Sequence, residues 1–182
     1  LNYIMIYNKA MSNIIVLAHN LRSTYNVGSL LRTMDGLGLK TIYVSGTTPY
    51  PIIDNDHRLI HIAKKNDQQI HKTALGAEKN INFIHHHNLL QLMSDLRSQE
   101  YVIAALEQST KSIPLTKWTV PDKLALIIGN ELTGIDQTIL DQVDQIIEIP
   151  MKGQKESFNV SVAAAISLFF LSYRQDNINY LL

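Results

Sequence analysis

The chain has 182 residues, 46% hydrophobic and 18% charged, which is enough apolar material for one core of ordinary size. It contains no cysteine, which excludes disulfides, thiolate zinc sites and cysteine nucleophiles and suits a reducing cytoplasm. The formal net charge is zero, so no overall basicity points to nucleic acid or to a membrane surface.

The charge is unevenly spread. Residues 1–72 hold eight Lys and Arg against four Asp and Glu, whereas residues 73–182 hold eight against twelve. Such a dipole either presents a basic face to RNA or reflects chance on a solvated surface. No secretory signal pattern opens the sequence. The longest apolar stretch, Val162 to Leu171, is too short to span a bilayer.

In chain order, Asn13–Ala18 predicts a buried strand and Asn26–Leu37 a helix, ended by the Gly36–Gly38 pair. Thr41–Ser45 is the next strand, and Thr47–Asp56 a loop rich in turn formers. Residues 57–66 read as helical and Lys72–Glu78 (KTALGAE) as a short irregular connection. A strand follows at Ile81–Ile84, a helix at Leu89–Arg97 and a strand at Tyr101–Leu106. Trp118, in a polar stretch, is expected to anchor a loop. Leu124–Gly129 is strongly apolar and β-like, Asp136–Gln142 helical, Ile146–Ile149 a strand, and Asn159–Tyr173 a closing helix. Strands alternate with helices, and several are continuous apolar runs. The expected class is α/β, a mostly parallel sheet with helices on both faces. With about ten residues ahead of the first strand, a single domain without a separate RNA-binding domain is expected.

Three segments combine residue types that suit chemistry. In Asn20–Gly38, Asn26 opens the helix and Arg32 follows on the same element. Free N–H groups at a helix start favour anions, so the two residues can grip a phosphate or ribose, or serve as a plain N-cap and a solvated cation. In Ile128–Ile135 (IGNELTGI), Gly129 allows close ligand approach at a strand's C-terminal end, and Glu131 is the only acid of the loop. In Ile149–Ala165, Pro150 and Gly153 break regular structure, and Ser157 and Asn159 stand at the start of an apolar helix. That helix is apolar almost all round, which predicts burial in the core or at a subunit interface.

In this order and spacing the segments resemble the three signature motifs of the SpoU-type (TrmH-like) RNA 2′-O-methyltransferases of the SPOUT superfamily. The resemblance runs from about Asn13 to Tyr173, and KTALGAE also looks like a segment common in that family. Leu132 departs from a frequent small or polar residue and Phe158 from the usual leucine; the polar signature residues are intact. The resemblance implies a deep trefoil knot in the C-terminal third, S-adenosylmethionine bound there, and a homodimer acting on RNA; with no added domain expected, transfer RNA is favoured over ribosomal RNA. It implies catalytic roles for Asn26, Arg32, Glu131, Ser157 and Asn159, and RNA contacts for Arg22, Asn26 and Arg32. Cofactor contacts would come from Ala105, Leu106, Gly129, Asn130, Glu131, Ile149, Met151, Ser157 and Phe158. No metal is needed. A non-catalytic RNA-binding module on the same fold is the alternative, together with a base-directed enzyme of another SPOUT branch. The intact polar signature argues against the first, and the segments NVGSLLRT and SFNVSVA against the second.

His57 and His61, four apart on the expected helix, and the run His85–His87 read as surface or loop histidines, not ligands. No phosphate-binding loop, nucleophile elbow or Rossmann glycine fingerprint appears.

Overall fold

The structure, a computed structural model, describes residues 13–178; what was expected of the residues ahead of the first strand lies outside them. Seven strands, β1 (Ile14–His19), β2 (Thr41–Ser45), β3 (Asn82–His85), β4 (Val102–Leu106), β5 (Ile113–Pro114), β6 (Leu124–Ile128) and β7 (Gln145–Glu148), form one sheet. The spatial order is β3-β2-β1-β6-β4-β7-β5, and every pairing is parallel. Among the described residues four α-helices lie between strands, α1 (Thr24–Gly36), α2 (Ile60–Ala74), α3 (Leu89–Ser98) and α4 (Gln137–Leu140), and a fifth, α5 (Val160–Ile178), follows β7. No helix among the described residues is long and apolar enough to cross a membrane.

The apolar runs are continuous because both sheet faces are covered. Along β6, Leu124, Leu126 and Ile128 enter the core that holds α1 and α5, while Ala125 and Ile127 enter the core that holds α3 and α4. Helices thus flank both faces, as the α/β reading expects.

Helix α1 begins one residue after Ser23, whose hydroxyl accepts from the Asn26 N–H at 3.3 Å. Asn26 is therefore in the first turn and is not the cap. Val27, Leu30, Leu31 and Met34 form the buried stripe. At the other end the Leu39 N–H reaches back to the Met34 carbonyl at 2.9 Å, which requires Gly38 at φ 74°, so the glycine pair does terminate the helix.

Three local expectations change. Helix α2 starts at Ile60 and runs to Ala74, because Ile70 and Ala74 bury against α1; half of KTALGAE is helix, followed by Leu75 in the left-handed region. His57 consequently precedes the helix that carries His61. A two-residue edge strand, β5, was not expected; its proline is tolerated at a sheet edge. His85 closes β3 with its ring against Tyr50 (4.8 Å between centroids) and is half-buried. Trp118 packs against the α1–α5 core, as a loop anchor would.

The α1–α2 contact depends on Gly28. A β-carbon there would stand 2.2 Å from Thr73 Oγ1 and 2.3 Å from the Ile70 carbonyl oxygen. Gly28→Ala is therefore expected to lower stability by about 1–3 kcal/mol, the usual range for overpacking, in urea denaturation. An unchanged midpoint would contradict this close approach.

Candidate active site

The C-terminal ends of β1, β6, β4 and β7 lie side by side, and the three signature segments leave the sheet at that edge. Open α/β sheets bind ligands at this edge.

Glu131 joins the first two segments. Its Oε2 accepts the Arg22 N–H at 2.9 Å and its Oε1 the Ser23 N–H at 3.1 Å, the free amides just ahead of α1. Asn26 Nδ2 also donates to Oε1, at 2.8 Å. The anion position at the start of α1 is thus filled by a carboxylate of the same chain, which corrects the expectation of a phosphate there. Burial raises the Glu131 pKa, but the hydrogen bonds from Asn26, Arg22 and Ser23 outweigh it, and the group is held below its ordinary 4.5.

The third segment joins through Asn159. Its Nδ2 donates to Asn26 Oδ1 at 3.3 Å, and its Oδ1 accepts from the Ser161 N–H at 2.9 Å and the Ser161 hydroxyl at 2.7 Å, at the start of α5. Asn159, Asn26 and Glu131 therefore form one relay between elements 133 and 105 residues apart in sequence. Asn130 braces the same loop. Its Nδ2 donates to the Asn20 carbonyl at 2.8 Å, and its Oδ1 accepts from the Leu132 and Thr133 amides at 2.8 and 3.1 Å.

Beside the relay lies a cavity. Of the expected cofactor residues, Leu106, Gly129, Asn130, Glu131, Ile149, Ser157 and Phe158 line it. Ala105 is fully buried in the α3–α4 core and Met151 stands off the lining. Sequence reasoning missed Glu107, Gln108 and Glu148, which also line it. Glu107 and Gln108 are the first two residues after β4 and Glu148 is the last of β7, so the strand-end rule could have found them once the strand order was known. Glu107 accepts the Ile135 N–H at 3.0 Å, and Glu148 the Ser112 hydroxyl at 2.7 Å. Gln108 Nε2 reaches the Glu156 carbonyl at 2.6 Å and ties the β4 end to the third segment.

Gly129, which lines the cavity, also has a reason within its own loop. A β-carbon there would stand 2.4 Å from Ile135 Cγ1 and 2.9 Å from the Gly134 carbonyl, so the glycine lets the loop close on itself.

Arg32 is not gathered into this cluster. It is exposed in a shallow groove between α1 and α2 with Ser29, Thr33, Lys72 and Thr73, and it has no ion pair among the described residues. Arg22 is exposed and contributes its backbone N–H to Glu131. No group of three His, Asp or Glu among the described residues is placed to hold a metal ion.

A model of the SpoU rRNA methylase family matches residues 13–169. The chain belongs to this family. Among similar SpoU-type proteins, a tRNA (guanosine(18)-2′-O)-methyltransferase of Borreliella burgdorferi is 32% identical over 86% of this chain and 66% of its own. A 23S rRNA (guanosine-2′-O-)-methyltransferase of Haemophilus influenzae is 33% identical over 80% of this chain and 53% of its own. The chain thus spans between half and two thirds of the length of these relatives. The crystal structure of the Aquifex aeolicus TrmH/SpoU tRNA modifying enzyme shares the fold, with a TM-score of 0.75 at 23% identity over 92% of this chain and 78% of that one. So does the SpoU methyltransferase AviRb of Streptomyces viridochromogenes in complex with AdoMet, at 0.73 and 20% identity over 90% and 58%.

The Glu131 hydrogen bonds favour the carboxylate, so their stabilisation is complete above its ordinary pKa of 4.5 and fades as the pH falls through the lower folded value. In urea denaturation across pH, wild type is expected to exceed Glu131→Gln in stability at pH 7. The gap should narrow only below about pH 4.5. A gap that persists unchanged at low pH would contradict the ionised relay.

Proposed function

We propose that this chain transfers a methyl group from S-adenosylmethionine to a ribose 2′-oxygen of RNA. The observation that carries the reading is the Asn159–Asn26–Glu131 relay set beside the strand-end cavity. The donor set fits the cofactor: Leu106, Ile149 and Val160 offer apolar contact to a purine, and the carboxylates of Glu107, Glu131 and Glu148 suit a ligand carrying sulfonium and ammonium charge.

When bound, S-adenosylmethionine supplies a methyl group already activated by positive sulfur. The chain's task is alignment and proton removal. An O–C bond forms at the ribose as the C–S bond breaks, and the hydroxyl proton passes to a phosphate oxygen or to water. A charged guanidinium has no acceptor, so Arg32 does not take that proton. It holds the adjacent phosphate and stabilises the developing alkoxide. Asn26 keeps one amide hydrogen beyond its bond to Glu131 with which to orient the ribose. Ser157, exposed on the cavity rim, and Asn159 fix the site from the side of α5.

Because Arg32 lines the α1–α2 groove and not the cavity of its own chain, the reading includes a homodimer that brings it to the partner's cavity. Support comes from α5, where Val162, Ile166, Phe169 and Tyr173 recur at helical spacing and are 46%, 39%, 61% and 59% exposed. It also includes the trefoil knot. Supporting it, β6 inserts between β1 and β4, the chain crosses to β7 beyond β4, and α5 returns against α1. Transfer RNA is favoured as substrate over ribosomal RNA, in line with the Borreliella relative. Methylation assays on each RNA separate the two.

Calorimetry is expected to show S-adenosylmethionine binding, with Arg32→Ala retaining wild-type affinity. Its single-turnover methyl transfer should fall by roughly 10²–10³, and Arg32→Lys should recover little, having lost the planar fork of donors. Near-normal transfer by Arg32→Ala would remove the assignment. In sedimentation at micromolar concentration the dimer mass is expected; a monomer would contradict the shared site.

A further inference from the structure

Helix α2 has no part in the relay or the cavity, yet its outer face is unusual in composition. His61, Lys64, Lys65, Gln68, His71 and Lys72 are all exposed. At about 100° per residue, positions 61, 65, 68 and 72 fall within roughly 60° of one another, one stripe along the helix. The only acid of α2, Asp67, lies on the other side, where its carboxylate accepts the Ile52 N–H at 3.1 Å. Lys64, Lys65 and Lys72 have no ion pair among the described residues, whereas His71 meets Glu78 at 2.6 Å. The stripe is thus cationic and uncompensated. It ends at Lys72, which shares the α1–α2 groove with Arg32 and with the hydroxyl-bearing Ser29 and Thr33.

The groove is also rigid. Gly28 brings the helices into backbone contact, Thr73 Oγ1 donates to the Tyr25 carbonyl at 2.9 Å, and Thr24 Oγ1 to Gln69 Oε1 at 3.1 Å. Lys72 and Arg32 are therefore carried on elements whose separation is fixed. Lys65 stands about 10 Å further along α2, far enough to meet a different phosphate.

We propose that the outer face of α2 is a track for the phosphodiester backbone of the RNA substrate, leading it through Lys65 and Lys72 to Arg32. The proposal rests on the RNA reading above and adds to it a binding surface outside the signature motifs. Lysines set along one helix face supply charge without base readout, so the track contributes affinity and orientation rather than sequence choice.

The test uses the full chain and end-labelled unfractionated transfer RNA, with affinity measured by fluorescence anisotropy across a salt series. The Lys65→Ala/Lys72→Ala double variant is expected to bind roughly ten-fold more weakly at 0.1 M salt, with the slope of log affinity against log salt reduced by about 1–2. S-adenosylmethionine affinity and thermal midpoint should stay at wild-type values. The Lys65→Arg/Lys72→Arg variant keeps the charge and should bind as wild type does. Lys123→Ala, ahead of β6 and paired with Glu100, should leave the slope unchanged. Wild-type affinity and slope in the double alanine variant would overturn the track while leaving the RNA reading in place, as would an arginine variant as weak as the alanine one. Failure of the wild-type chain to bind RNA at all would overturn both.

Discussion

The architecture of the site depends on one carboxylate at the start of one helix. The two N–H groups ahead of α1 have no partner within the helix, and Glu131 accepts both. Because Glu131 belongs to the loop after β6, this bond sets where the first and second segments meet. Asn26 then binds the same carboxylate and passes the constraint to Asn159, hence to the start of α5. A charged acceptor with three donors is the strong kind of hydrogen-bonded group, and the fall in its pKa is the sign that the chain favours its ionised form.

Helix α1 works on four sides. One face is buried on the sheet, a second meets α2 through Gly28, its start is held by Glu131, and an exposed side presents Arg32. This separates two tasks. The relay and cavity lie at the strand ends, among acidic groups that suit a cationic cofactor. The cations that suit RNA lie on α1 and α2, where no acid of the described residues pairs with them. Of the basic residues in the first part of the sequence, Arg32, Lys65 and Lys72 are exposed on these two helices.

Much of the fold was readable because parallel strands covered on both faces leave unbroken apolar runs, as at Leu124–Ile128, and because Gly38 must end α1. The strand order was not readable. Nothing local to Ile14 or Leu124 states that they pair across more than a hundred residues. Without that order, Glu107 and Glu148 look like any acids at a strand end. The sequence left Asn26 as a possible cap, whereas in the structure Ser23 caps α1 and Asn26 bridges to Glu131. Helix α2 begins later and runs further than residues 57–66 because Ile70 and Ala74 bury against α1, a contact no local pattern encodes. Recognition of the family supplied the residues of the site, and geometry supplied what most of them hold.

The central claim is that the relay and cavity serve methyl transfer to a ribose oxygen of RNA. The most direct measurement supplies the protein with S-adenosylmethionine bearing a deuterated methyl group and with RNA lacking modification. The RNA is then digested and its nucleosides resolved by tandem mass spectrometry. The account predicts the heavy methyl on the ribose fragment, with the base fragment unlabelled. Label on the base fragment, or no label in any RNA offered, would contradict it.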